Sequence, residues 1–252
     1  MNKLYFTLLL ALASSCYGQI ENGMVTHFPF NNNYFDISPI QIDGLSTGTS
    51  FGFDRNGMAN QGVDLVDFSY IEFDNPAIKV DFPITISTWA KFDNLSESQV
   101  LFTTDNLFEN YAGYWINTLP NGQIALNFGG NIGGANSSNR RSFVSDQQLN
   151  ENQWYHFVFI IRNALDMDIF IDCSHTTGAY SGNGSLSIVY SNALSRIGHM
   201  LGNNQAPSGS LFSGAIDQFV IWERELSPSE INLVCDPSNT LTIDENKLDL
   251  LN

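Results

Sequence analysis

The chain has 252 residues, with 26 Asp and Glu against 10 Lys and Arg and a formal net charge of −16. A field of that sign repels nucleic acid and anionic membranes, so no nucleic-acid partner is expected. Aromatics make up 13% of the residues and charged residues only 14%, so a large apolar core is available.

Residues 1–18 read as a secretory signal peptide. Lys3 supplies the positive start, Leu4 to Ala13 is an apolar run too short to span a membrane, and small residues lead to the CYG that precedes Gln19. The tetrad ASSC offers the alternative of a lipid anchor at Cys16, although Ala13 stands where such boxes usually carry Leu. With no other long apolar segment and no transmembrane segment, the mature chain is expected to be secreted or held at the cell surface. Its length suits one all-β sandwich domain over residues 23–236, followed by a polar, acidic tail over 237–252.

Strand signals then dominate. The runs IEF, ITISTWAKF, QVLFTT, YWINTL, QIALNF, WYHFVFIIR, MDIFIDC, SLSIVY, SRIGHM and AIDQFVIW are rich in β-branched and aromatic residues and separated by Gly, Asn, Ser or Pro. In ITISTWAKF, Ile84, Ile86, Thr88, Ala90 and Phe92 fall on one face, with Thr85, Ser87, Trp89 and Lys91 on the other. WYHFVFIIR is apolar on both faces, as a central strand requires. In AIDQFVIW, alternation sets Asp217 on a face with Ala215, Phe219 and Ile221, where an unpartnered carboxylate is strongly unfavourable. One helix start is convincing: Ser227 as N-cap, Pro228 at the first helical position and Glu230 three after the cap predict a helix over about 228–234.

Two cysteines remain after the leader, Cys173 and Cys235, and an even count in an exported chain argues for a disulfide between them. Its loop of about 60 residues is worth roughly 3–4 kcal/mol on a chain-entropy estimate. The stretch Gly129 to Arg141, GGNIGGANSSNRR, is polar and glycine-rich. Asn131 and Asn136 there can exchange hydrogen bonds with sugar hydroxyls, and Arg140 and Arg141 invite an acidic group such as a uronate, sulfate or carboxylate. The alternative is a hairpin with solvated arginines. Tyr111 and Trp115 lie nearby in ENYAGYWINTLPNG, where their rings either stack on sugar or belong to the core.

HFPF, the Asn-rich turn leading to Asp36, DRNGMANQGVDL, FSYIEF, ITISTWAKF, NQWYHFVF, MDIFIDC and GAIDQFVIWERELSPSEI, in this order, resemble the laminin-G-like, concanavalin A-like lectin/glucanase domains of exported bacterial proteins. The resemblance runs from about Gly23 to Cys235. Two departures stand out: GVDLVDFSY replaces the usual Phe-Asp-Gly turn, and Cys173 follows Asp172 where a Gly is common. The resemblance implies a β-jelly-roll sandwich of two antiparallel sheets with one short C-terminal helix. It implies binding of a polysaccharide, a glycoconjugate or a protein surface more often than catalysis, with Trp89, Trp154 and Trp222 at core positions. Some such domains carry structural calcium. Because first and last strands often lie side by side in this fold, Asp36 and Asp217 could meet at one calcium ion, a hard cation that prefers oxygen ligands. The alternative partners of Asp217 are backbone N–H groups or Arg55.

A glycan hydrolase or lyase is the lesser alternative, because no catalytic set is found in the sequence. Glycoside hydrolysis takes two carboxylates at a defined separation, and IEFDNPA offers Glu72 and Asp74 but no second Glu before Pro76 ends the strand.

Overall fold

The computed structural model describes residues 20–66, 68–105, 111–130, 136–184, 186–200 and 211–236. The leader with Cys16, Asn131 of the glycine-rich stretch and the tail 237–252 lie outside the described residues.

Two antiparallel eight-stranded sheets form the sandwich. The first contains β1 (Met24–Phe28), β3 (Ser50–Phe53), β4 (Ala59–Leu65), β6 (Ile84–Phe92), β11 (Trp154–Asn163), β12 (Asp166–Ile171), β13 (Ser174–His175) and β16 (Gly214–Trp222). The second contains β2 (Leu45–Thr47), β5 (Tyr70–Phe73), β7 (Val100–Thr103), β8 (Tyr114–Thr118), β9 (Gln123–Gly129), β10 (Arg140–Gln148), β14 (Gly178–Ser181) and β15 (Ser195–Ile197). The order is 13-12-11-6-16-4-3 in the first sheet, with β1 also on β16, and 14-10-9-8-7-15-5-2 in the second.

The core lies between the sheets and follows the alternation of the strands. Ile84, Ile86, Ala90 and Phe92 of β6 and Tyr155, Phe157, Phe159 and Ile161 of β11 point inward to meet Phe102, Tyr114, Ile116, Leu126 and Phe128 from the second sheet. Rings cross the interface directly, as Phe102 and Phe219 do with centroids 4.8 Å apart. Burying each such side chain is worth about 1.5–3 kcal/mol. Val158, Ile160, Val220 and Trp222 point the other way and are covered by α1 (Pro228–Val234) through Ile231 and Val234. Ser227 and Glu230 cap α1 reciprocally, with the Ser227 N–H donating to Glu230 Oε2 at 2.7 Å. Cys235, at its end, is joined to Cys173 with Cα atoms 5.7 Å apart.

Three local expectations are corrected. SLSIVY forms no strand among its described residues; Val189 instead bridges Gly129 and Gly113 through its backbone. The glycine-rich stretch does not reach Arg141 as a loop, because β10 begins at Arg140. In β16 the alternation is interrupted: Gln218 has φ +52° and the pairing with β6 slips between Asp217 and Phe219. This bulge adds one residue to the strand and reverses the facing of everything before it. Ile216 and Phe219 therefore both enter the core, and Asp217 sits on the outer face of the first sheet instead of beside Phe219. The bulge falls where β16 exchanges one neighbour for another, β4 along Gly214–Ile216 and β1 along Phe219–Trp222.

Candidate functional site

The outer face of the second sheet carries a groove of about 270 Å³. Its lining follows from strand register. Trp115 of β8, Asn127 of β9 and Ser142 of β10 are cross-strand neighbours, and so are Asn117, Ala125 and Val144 one row along. The residues between them, Ile116, Leu126 and Phe143, point into the core. YWINT, QIALNF and RRSFV thus send alternate residues to the core and to the outer face.

The floor is apolar. Trp115 packs with Val100 and Met200 in a small cluster, only 6% exposed, and Tyr111 stacks on its ring at 5.2 Å with 12° between planes. Trp115 is thus covered by Tyr111, whose own ring is half-buried. The segment bearing Tyr111 crosses the end of β9 so closely that a Cβ on Gly129 would meet the Tyr111 carbonyl oxygen at 1.5 Å, which is why a glycine stands there.

The walls are polar and internally ordered. Asn127 Nδ2 donates to Asn117 Oδ1 at 2.9 Å and to the Trp115 carbonyl at 3.2 Å, and Asn117 Nδ2 donates to Ser98 Oγ at 3.2 Å. Arg140 reaches over the Tyr111 ring at 5.8 Å, and its Nη1 donates to Ser142 Oγ and, at 3.1 Å, to Ser181 Oγ. An aromatic floor with fixed amides and hydroxyls along its sides suits a ligand that has apolar faces and a polar rim.

The sequence candidates are thus divided. Tyr111, Trp115 and Arg140 come together in the groove. Arg141 does not: adjacent strand residues point to opposite faces, so it shares the inward row of Tyr114 and Phe128, donates to the Gly182 carbonyl at 3.2 Å and lies 4.5 Å over the Tyr180 ring. Asn136 is exposed and caps a single 3₁₀ turn, accepting from the Ser138 N–H at 3.0 Å. Asn117, Asn127, Ser142, Ser181 and Met200 were missed, although the alternation of YWINT and QIALNF was enough to place both asparagines outside.

Asp36 and Asp217 each have a partner of their own. Buried Asp36 accepts from the backbone N–H groups of His27 and Ser38, both at 2.8 Å, and of Ile42 at 3.2 Å. These amides oppose the rise in its pKa that burial imposes. Asp217 pairs with Arg55 at 2.5 Å, with both side chains nearly inaccessible, and Arg55 also lies 5.0 Å over Trp89. Burial pushes Asp217 up to about 6 despite Arg55. Asp54 shapes the turn that delivers Arg55, accepting from the N–H groups of Asn56 and Met58. Each carboxylate thus has a partner within the chain, and no group of three or more His, Cys, Asp or Glu stands together among the described residues. Trp89 and Trp222 are buried, but on the outer side of the first sheet, and Trp154 is partly exposed.

Residues 67–232 match the family described as the concanavalin A-like lectin/glucanases superfamily. No curated protein matches the sequence. Among solved structures, domain 4 of AbnA, a GH43 extracellular arabinanase from Geobacillus stearothermophilus solved with arabinotriose, is 18% identical with a TM-score of 0.59, over 84% of this chain and 98% of that one. The binding domain of botulinum neurotoxin serotype C1 is 13% identical with a TM-score of 0.61, over 88% of this chain and 53% of that one. A structure of botulinum neurotoxin type C, whose cell entry depends on interaction with two ganglioside molecules, is 13% identical with a TM-score of 0.63 and the same coverages. This chain spans about half the length of those toxin chains, and at such identities the likeness is one of fold. Among the described residues no helix is long and apolar enough to cross a membrane.

Proposed function

The chain belongs to the concanavalin A-like lectin/glucanase superfamily, and from that membership and the outer groove we infer an exported, non-catalytic module that binds a glycan. The observation that carries this reading is the cross-strand row Trp115–Asn127–Ser142 beneath Tyr111, an apolar floor beside amides already fixed in orientation. A sugar ring would lay its C–H face on Tyr111 and exchange hydroxyl hydrogen bonds with Asn117 and Asn127. The arabinanase domain solved with arabinotriose and the toxin that interacts with gangliosides support the reading by analogy of fold. The Cys173–Cys235 bridge and the leader-like residues 1–18 support export.

Non-catalytic use fits the lining. Cleaving a glycosidic bond takes two carboxylates, and no described residue lining the groove is Asp or Glu. Glu72 is engaged elsewhere, by Arg196 at 2.5 Å.

The test is binding of the purified chain to a broad panel of polysaccharides and glycoconjugates. Asn127→Ala and Tyr111→Ala should each weaken binding about tenfold or more, and circular dichroism at the assay temperature shows that each variant is still folded. A wild-type chain that binds nothing on the panel overturns the reading.

A protein-interaction role is the second reading, favoured by exposed apolar side chains. Phe35, Leu45, Phe53, Met58, Val66 and Phe68 are each more than half exposed, and they lie on β2, on β3 or in the segments flanking β1 to β5.

A further inference from the structure

We propose that the ligand of the groove is an acidic saccharide and that Arg140 is the residue that holds its charged group. This rests on the glycan-binding reading above and specifies the chemistry of the ligand.

The chain carries 26 acidic residues against 10 basic ones. Among the described residues, Arg55, Lys79, Arg162, Arg196 and Arg224 each pair with Asp or Glu. Lys91, Arg140 and Arg141 form no such ion pair; Lys91 lies over the Trp154 ring and Arg141 over the Tyr180 ring, and of the three only Arg140 lines the groove. The described partners of Arg140 are the hydroxyls of Ser142 and Ser181 and the ring of Tyr111, all uncharged. They hold the guanidinium in place without neutralising it. Both hydroxyl bonds use Nη1, so the Nε–Nη2 edge has no partner among the described residues. That edge can bind a planar carboxylate through two parallel hydrogen bonds.

The rest of the groove agrees. Its described lining otherwise consists of neutral polar and apolar side chains, without one carboxylate. In so acidic a protein, that exclusion leaves a single positive charge facing a site otherwise suited to a sugar. An anionic group on a ring seated over Tyr111 meets Arg140 directly, because the guanidinium lies 5.8 Å from that ring. A neutral glycan would leave the charge unused. A uronate and a sulfated sugar share the chemistry required; they differ in that only the carboxylate matches the fork bidentately.

The experiment is calorimetric titration of the full chain with oligosaccharides of equal length in three arms: neutral arabinose or glucose, galacturonate, and sulfated galactose. The proposal expects tighter binding in an acidic arm than in the neutral one, with weakening as NaCl rises from 50 to 500 mM. Arg140→Gln should lower acidic binding about tenfold or more, and by a clearly larger factor than it lowers neutral binding. Arg140→Lys separates the two acids: it retains sulfate binding, which needs only a point charge, and loses galacturonate binding. Neutral saccharides bound best, with indifference to salt and to Arg140→Gln, overturn the proposal while leaving the glycan-binding reading intact. Absence of binding in all three arms overturns that reading and the proposal with it. Unfolding curves of each variant confirm that a lost signal is not a lost fold.

Discussion

Asp217 owes its environment to its neighbour Gln218. Without the extra residue of the bulge, strand alternation places the carboxylate among Phe219 and Ile221, where burial is prohibitive. With it, the carboxylate lies across from Trp89 on the outer face and receives Arg55 from the β3–β4 turn. Both charges are nearly inaccessible, so the pair is worth less than its loss would cost. Removing one partner strands the other in a dry setting, which typically costs about 3–5 kcal/mol. Asp217→Ala should therefore lower the urea midpoint substantially, and the double variant Arg55→Met/Asp217→Leu should recover much of the loss. Equal destabilisation by the single and double variants refutes this account. Asp217 and its need of a partner were legible from the sequence, and Arg55 was one of the partners named. The bulge was not, because Gln218 bears no local mark of a left-handed conformation.

At the scale of elements, the agreement is closest where short-range chemistry dictates the outcome. The helix runs over Pro228–Val234 as expected, since Ser227, Pro228 and Glu230 specify its start within one turn. The β12–β13 hairpin explains the departure at Cys173. Asp172 and Cys173 have φ of +49° and +64°, the paired left-handed geometry of a tight turn that favours glycine at its second position. Cysteine accepts that strain, on the order of 1–2 kcal/mol, to reach Cys235. Two variants lacking the disulfide isolate the strain. Cys173→Gly/Cys235→Ala should be more stable than Cys173→Ala/Cys235→Ala by about 1 kcal/mol in chemical denaturation. The opposite order would mean that the turn relaxes once the bridge is gone. The glycine-rich stretch was read less well. Arg140 and Arg141 look like loop residues in the sequence, yet they open β10, and the strand's own geometry sends them to opposite faces.

In the whole molecule, the groove and the reinforcement occupy opposite sides of the sandwich. The disulfide and α1 brace the outer face of the first sheet, whereas the groove lies on the outer face of the second. Reduction of Cys173–Cys235 should lower the unfolding free energy by roughly 3–4 kcal/mol. Glycan binding at 25 °C should persist as long as circular dichroism reports an intact fold. Binding lost before the fold would tie the groove to the bridge. What the chain reveals without coordinates is whatever depends on periodicity and on neighbours in sequence: an all-β sandwich, inward and outward faces of ITISTWAKF, a capped helix and a paired set of cysteines. Strand pairing decides the remainder. The row of Trp115, Asn127 and Ser142, the choice of Arg140 over Arg141, and the separate partners of Asp36 and Asp217 all depend on which residues face one another across strands distant in sequence. Register and a single bulge set those meetings, because one residue of slip turns every side chain of a strand to the other face.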